Sequence, residues 1–204
     1  MQSRDDIARF LWRQPQILRL LVAVEALAMQ DCWIGAGVIR NAVWNHLHGF
    51  AIDEVPVGDV DVVYCDANDM STARDLALEG YLRAKFPDVP WSVHNQARMH
   101  VANGDPPYRD VADAIQYWPE TATAIAARKR GGDVEVLAPL GIADLVGLVV
   151  RPTPTFARKL SAYRHRISKK DWARRWPRLE LSSIDTQTFS GPLPLRQLGI
   201  SYFR

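Results

Sequence analysis

Two aspartates separated by one apolar residue, Asp59 and Asp61 in Gly58-Asp59-Val60-Asp61-Val62-Val63, are the residues of this chain best suited to chemistry. Side chains alternate along an extended strand, so both carboxylates project from one face about 7 Å apart while Val60 and Val62 turn to the other. Such a pair presents oxygen ligands to magnesium, which completes its shell with water and phosphate oxygens. Upstream, Gly35-Ala36-Gly37 precedes a short helical run. A glycine turn ahead of a helix exposes backbone N–H groups to phosphate, and the helix N-terminus adds partial positive charge. Together the two elements read as a cradle for a triphosphate and its metal ions.

The elements that must position these residues follow from periodicity and breakers. Asp5 to Trp12 and Gln16 to Gln30 are predicted helices separated by Pro15, the second with Ile17, Leu20, Leu21, Val24, Leu27 and Ala28 at helical spacing. Cys32 to Ile34 is a short strand into the glycine turn, Val38 to Leu47 the helix after it, and Asp59 to Cys65 the acidic strand. A helix from Ser71 to Phe86, capped by Asp69 or Ser71, ends before Pro87. Trp91 to Val93 and Arg98 to Val101 read as strand pieces, and Asp110 to Tyr117 as a short helix. Thr121 to Arg128 and Val134 to Leu137 flank Gly131-Gly132 as a hairpin. Ile142 to Val150, Phe156 to Ile167 and Lys169 to Trp176 read as helices, with an irregular tail from Leu181. Helices at both ends and strands between them predict an α+β fold, a small mixed sheet with helices packed on it. The expected division is a core with N-terminal helices over 1–150 and a basic helical extension over 151–204.

With 204 residues, 48% of them hydrophobic, the chain can bury a proper core, which excludes global disorder. A net charge of +2 identifies no partner, but its distribution is informative. Ten basic residues, Arg151, Arg158, Lys159, Arg164, Arg166, Lys169, Lys170, Arg174, Arg175 and Arg178, share one segment with only Asp171 and Glu180. That segment suits polyphosphate or RNA, or else a solvated helical surface. Cys32 and Cys65 have neither metal-ligand spacing nor a disulfide framework, as expected of reduced thiols in a cytoplasmic protein. No run approaches membrane-spanning length, and the residues after Met1 lack the apolar core of a signal peptide. The five histidines form no zinc set, and no Gly-x-Ser-x-Gly pattern offers a hydrolytic alternative.

The glycine turn and the Asp-x-Asp strand resemble the polymerase-β-type nucleotidyltransferase superfamily. The whole chain is similar to one bacterial family within it, known mainly as predicted nucleotidyltransferases of undefined substrate. The resemblance is carried by Gly35-Ala36-Gly37-Val38-Ile39-Arg40-Asn41, Trp91-Ser92-Val93-His94-Asn95-Gln96-Ala97-Arg98-Met99-His100, Glu120-Thr121-Ala122-Thr123-Ala124, Arg151-Pro152-Thr153-Pro154 and Arg175-Trp176-Pro177, over roughly residues 10 to 180. It implies a polymerase-β-type fold in which Asp59 and Asp61 bind two magnesium ions, or manganese, and Gly35, Ala36 and Gly37 receive the triphosphate of an NTP. Two metals roughly 4 Å apart clamp the attacking oxygen and the leaving pyrophosphate of an in-line displacement. The superfamily's glycine-serine pair is Gly35-Ala36 here, so position 36 has no hydroxyl. For the third carboxylate of the superfamily the candidate is Glu135, in the alternating Val134-Glu135-Val136, against an ordinary exposed strand residue.

Arg40 and Asn41, in the first turns after the glycine turn, are placed to reach a phosphate, or to pair with Asp59 or Asp61. Asn95, Gln96, Arg98 and His100 form a polar stretch expected beside the metal strand, suited to a base, a ribose or an acceptor, or to a buried hydrogen-bond network. The implied activity is transfer of a nucleoside monophosphate from an NTP to an unknown hydroxyl or phosphate acceptor, RNA or a small molecule. Ala36 and the unplaced third acid motivate an alternative, a catalytically lapsed nucleotide- or RNA-binding module. A dinucleotide-binding reading of Gly35-x-Gly37 lacks the third glycine.

Overall fold

The computed structural model describes residues 1–52 and 58–182. In chain order they form α1 (Arg4–Trp12), α2 (Pro15–Glu25), β1 (Cys32–Gly35), α3 (Gly37–His48), β2 (Val60–Tyr64), α4 (Thr72–Lys85), β3 (Trp91–Asn95), α5 (Gln96–Asn103), α6 (Val111–Ile115), β4 (Ala126–Arg130), β5 (Asp133–Leu137), α7 (Ala143–Val146), β6 (Val149–Val150), α8 (Leu160–Lys170), α9 (Trp172–Arg175) and β7 (Glu180–Leu181). Short 3-10 turns precede β4 at Thr121–Thr123 and α8 at Phe156–Lys159.

Local chemistry sets several of these boundaries. Ser3 and Asp6 form a reciprocal capping box at α1, whose buried Ile7 and Leu11 lie one turn apart. Pro15 opens α2, where its missing N–H costs nothing, and Ile17, Leu21 and Val24 line the buried face. Ser71 accepts from the Arg74 N–H at the start of α4. Gly49, in the left-handed region at φ 74°, ends α3.

Five strands make one mixed sheet in the order β3-β2-β1-β4-β5. The parallel pair β2–β3 encloses the α4 crossover, and the other pairings are antiparallel. The hairpin around Gly131-Gly132 is present, with Arg130 opposite Asp133 and Gly131 at φ 59°. One face of the sheet carries Ile34, Val60, Val62, Tyr64, Trp91 and Val93 into the main core with Ile17, Leu21, Val24 and Leu82. The opposite face carries Trp33, Val63 and Ala126 against Val111, Ile115 and Trp118. Strand alternation puts Asp59 and Asp61 on that second face, beside its smaller cluster.

Four expectations are corrected. Arg98 to Val101 is helical, because the Asn95 side chain accepts from the Ala97 N–H and starts α5 at Gln96. The helix expected over Ile142 to Val150 stops at Val146; Leu148 takes φ 60° and the chain turns into β6, which pairs with β7. The helix expected to reach Gln30 ends at Glu25, before Ala28 at φ 52°. Thr121 to Thr123 form a 3-10 turn, and the strand begins only at Ala126.

Candidate active site

A cavity of about 430 Å³ opens where β1, β2, α3, α8 and α9 converge, lined among others by Ala36, Gly37, Arg40, Asn41, Asp59, Asp61, Thr123, Arg166, Lys170 and Arg175. Gly35, the last residue of β1, is there for packing: a Cβ on it would lie 2.5 Å from Cη2 of Trp118, whose ring forms part of the cavity wall. Ala36 sits at φ 47° and ψ −111°, a conformation that L residues rarely adopt, and its N–H donates to the Ile125 carbonyl at 2.9 Å. No side chain caps α3, and a Cβ on Gly37 would meet nothing within 4 Å. The first backbone N–H groups of α3 therefore begin at the cavity without a side chain covering them.

Asp61 is half-buried, and its carboxyl is pushed up to about 7, first by burial and then by the neighbouring Asp59 charge, against the pull of Arg166, Arg40 and Lys170. Arg40 is only 5% exposed. Its guanidinium donates to Thr123 Oγ1 at 2.9 Å and to Asn41 Oδ1 at 2.8 and 3.2 Å, and stacks at 4.9 Å over Trp44 and 4.4 Å over Trp172. Burial lowers its pKa to about 9. Arg166 Nε donates to Glu120 Oε1 at 2.7 Å. Lys170 lies one helical turn beyond Arg166 on α8, its pKa lowered by burial and by the Arg166 and Arg40 charges. Among the described residues neither Arg40, Lys170 nor Arg175 forms an ion pair with a carboxylate. Arg40 is buried, Lys170 half-buried and Arg175 exposed; leaving the buried Arg40 cation unpaired is costly, and an anionic ligand would relieve that cost.

The C-terminal helices reach the cavity because tryptophans anchor them. Trp172 and Trp176 pack edge-on against Trp44 at centroid distances of 5.6 and 5.1 Å, and Trp176 Nε1 donates to Asn45 Oδ1 at 2.7 Å. Residues of the basic segment thereby become part of the wall opposite the aspartates.

Of the residues singled out in the sequence, Ala36, Gly37, Arg40, Asn41, Asp59 and Asp61 line one cavity, with Gly35 directly behind. Glu135 does not join them. It pairs with Arg128 at 2.6 Å on β5, and β1 and β4 lie between β5 and β2. At about 4.8 Å per strand that is a separation of roughly 14 Å. Asn95 is consumed in capping α5 and in donating to the Asp66 and Asp69 carbonyls. Gln96 is buried, with its amide toward the His94 carbonyl; Arg98 pairs with Asp75 and donates to the Met70 carbonyl; His100 bonds the Ala97 carbonyl. These four side chains do not line the cavity. The residue opposite Asp61 on β3 is Ser92, so that neighbouring position carries no acid. Arg166, Lys170, Arg175, Thr123 and Trp118 also line the cavity without an individual sequence motif of their own, although the four-residue spacing of Arg166 and Lys170 within a basic helix is a usable signal. Among the described residues, no three His, Cys, Asp or Glu side chains converge as a metal cage. No described helix is long and apolar enough to cross a membrane.

Comparison with known proteins agrees with this geometry. A family model described as nucleotidyltransferase matches residues 22–181. A solved NMR structure of a CCA-adding enzyme head domain is 31% identical, with a TM-score of 0.79 over 90% of this chain and 98% of that one. The Thermotoga maritima CCA-adding enzyme, complexed with tRNA, is 14% identical with a TM-score of 0.56, over 89% of this chain and 43% of that one, a likeness of fold alone. Among curated proteins none matches. With its glycine turn, acidic strand and mixed sheet all inside the matched span, the chain belongs to this nucleotidyltransferase family.

Proposed function

We propose that the cavity binds a nucleoside triphosphate with a divalent ion and transfers its nucleoside monophosphate to a hydroxyl or phosphate acceptor, releasing pyrophosphate. The observation that carries this reading is the meeting of two carboxylates, Asp61 on β2 and Asp59 just before it, with four cations, Arg40, Arg166, Lys170 and Arg175, at the start of α3. The volume of about 430 Å³ lies within the range of small-molecule sites.

The residues fit a metal. Burial and Asp59 hold the Asp61 carboxyl up near 7, and a cation between the two would relieve that repulsion. Magnesium keeps water and phosphate in its shell, so two aspartates are an adequate protein contribution. Asp59 and Asp61 would hold the ion or pair of ions, with manganese as the alternative. A bound divalent ion neutralises charge on the phosphoryl oxygens and polarises them. The four cations bind and orient the triphosphate, and Gly37 admits it to the α3 N-terminus. The acceptor oxygen forms a bond to the α-phosphorus as the bond to the β-phosphate bridging oxygen breaks. Its electron pair leaves on pyrophosphate among the cations, and a hydroxyl acceptor's proton passes to solvent.

The acceptor we favour is RNA, with a small molecule as the alternative. Lys169, Arg174 and Arg178 are exposed along α8, α9 and the following turn, adjoining the cavity. The tRNA held by the Thermotoga maritima relative is consistent with this reading. We take 1–150 as the core and 151–204 as an extension completing the site; residues 183–204 lie outside the described part. Calorimetry tests the metal site: Asp59→Asn with Asp61→Asn abolishes magnesium-dependent NTP binding in a folded protein, and unchanged affinity refutes the assignment. A lapsed binding module is the second reading, favoured by Ala36 and by the distance of Glu135 from the aspartates. Incubation with labelled NTPs, magnesium and cell extract separates the two: a labelled acceptor supports the enzyme, and binding without turnover of all four NTPs supports the module.

A further inference from the structure

Glu120 is the most deeply placed charge near the cavity and is no part of its lining. It is 0% exposed, its Oε1 accepts from Arg166 Nε at 2.7 Å, and its Oε2 is buried with no hydrogen-bond partner among the described residues. A buried carboxylate oxygen without a donor is costly and calls for a compensating role. The chain around it is held firmly. The Glu120 carbonyl accepts from the Thr123 and Ala124 N–H groups at 3.0 Å, and Glu120 bridges to Pro152. The same turn presents Thr123 Oγ1 to Arg40. One turn thus sets two guanidiniums, the half-buried Arg166 through a carboxylate and the buried Arg40 through a hydroxyl.

The Arg166 contact uses Nε alone. A guanidinium held at Nε keeps its two terminal nitrogens, the edge that matches phosphate oxygens in bidentate fashion, for a ligand. Arg166 also lines the cavity, so that edge is available where the cations converge. We propose that Glu120 is a positioning residue for polyphosphate: it aims the Arg166 terminal edge into the cavity. This rests on the nucleotide reading of the cavity and adds to it the residue that sets discrimination between NTP and NMP.

The experiment measures dissociation constants of NTP, NMP and inorganic tripolyphosphate for the full chain as wild type, Glu120→Gln, Arg166→Ala and the double variant. Losing a charge-assisted bond predicts that Glu120→Gln weakens NTP and tripolyphosphate by roughly 5- to 30-fold and leaves NMP within about twofold. Because Glu120 acts through Arg166, the double variant binds no worse than Arg166→Ala. Equal losses for NTP and NMP, or additive losses in the double variant, overturn the proposal. If wild type binds none of the three ligands, the nucleotide reading fails instead. The aiming contact has its own readout in unmodified protein with 15N-labelled arginine, assigned with Arg166→Lys. The Arg166 Nε–H exchanges slowly and is unmoved by tripolyphosphate while its terminal nitrogens shift. A rapidly exchanging Nε–H overturns the proposal even if no Glu120 variant folds.

Discussion

Replacing Asp61 by Asn separates what the site costs the fold from what it contributes to binding. The Asp61 carboxyl is raised from an ordinary 3.8 to about 7 by burial and by Asp59. A group whose folded pKa lies above its unfolded value binds more protons when folded, so its contribution is fully present below the unfolded pKa and is lost as pH rises through the folded one. That displacement corresponds to about 4 kcal/mol for a fully buried group. Asp61 is only half-buried and Asn must also be desolvated, so the expected gain for Asp61→Asn above pH 7 is about 1–3 kcal/mol, or about 2–10 °C in Tm for a chain of this size. Urea unfolding of both proteins from pH 4 to pH 8.5 should give coinciding stabilities near pH 4, diverging in favour of the variant through pH 4–7 and constant above. Saturating magnesium at pH 8 should narrow the gap, since an ion bound only by the folded wild type stabilises it. A gap independent of pH, or a variant less stable at pH 8, refutes both the burial and the carboxylate-pair argument.

The other predictions concern the turn and the cation wall. Gly35→Ala drives a Cβ to within 2.5 Å of the Trp118 ring and should cost about 1–3 kcal/mol in chemical denaturation, with weaker NTP binding as the ring yields into the cavity. Ala36→Ser restores a hydroxyl at a position whose backbone strain the wild type already carries; the melting temperature should stay within about 2 °C, and NTP should bind about 3- to 10-fold more tightly by one added hydrogen bond. Lys170→Met removes a half-buried cation without a carboxylate partner among the described residues; NTP affinity should fall about 10-fold with a shallower salt dependence in calorimetry, whereas stability should rise or hold.

Local rules were enough for much of the site. The Asp-x-Asp alternation, the glycine turn and the helix after it lie within about 30 consecutive residues, where period-2 and helix-terminus geometry operate without tertiary help. The hairpin at Gly131-Gly132 and the cap at Ser71 were legible for the same reason. Glu135 was not, because alternation states which face a strand residue takes, while strand order states how far away it lies, and β1 and β4 intervene. Asn95 shows a second limit: its side chain satisfies the backbone of α5 and of the loop at Asp66 and Asp69, partners chosen only once β3 lies beside β2. Gly35 looked like a phosphate-loop glycine, and folding brings up Trp118, 83 positions later, as its more immediate reason. The composition of the basic segment pointed to anions, but which of its cations face the aspartates depends on Trp172 and Trp176 docking against Trp44. Short-range geometry therefore built the acidic half of the cavity, and long-range aromatic packing placed the cationic half across from it.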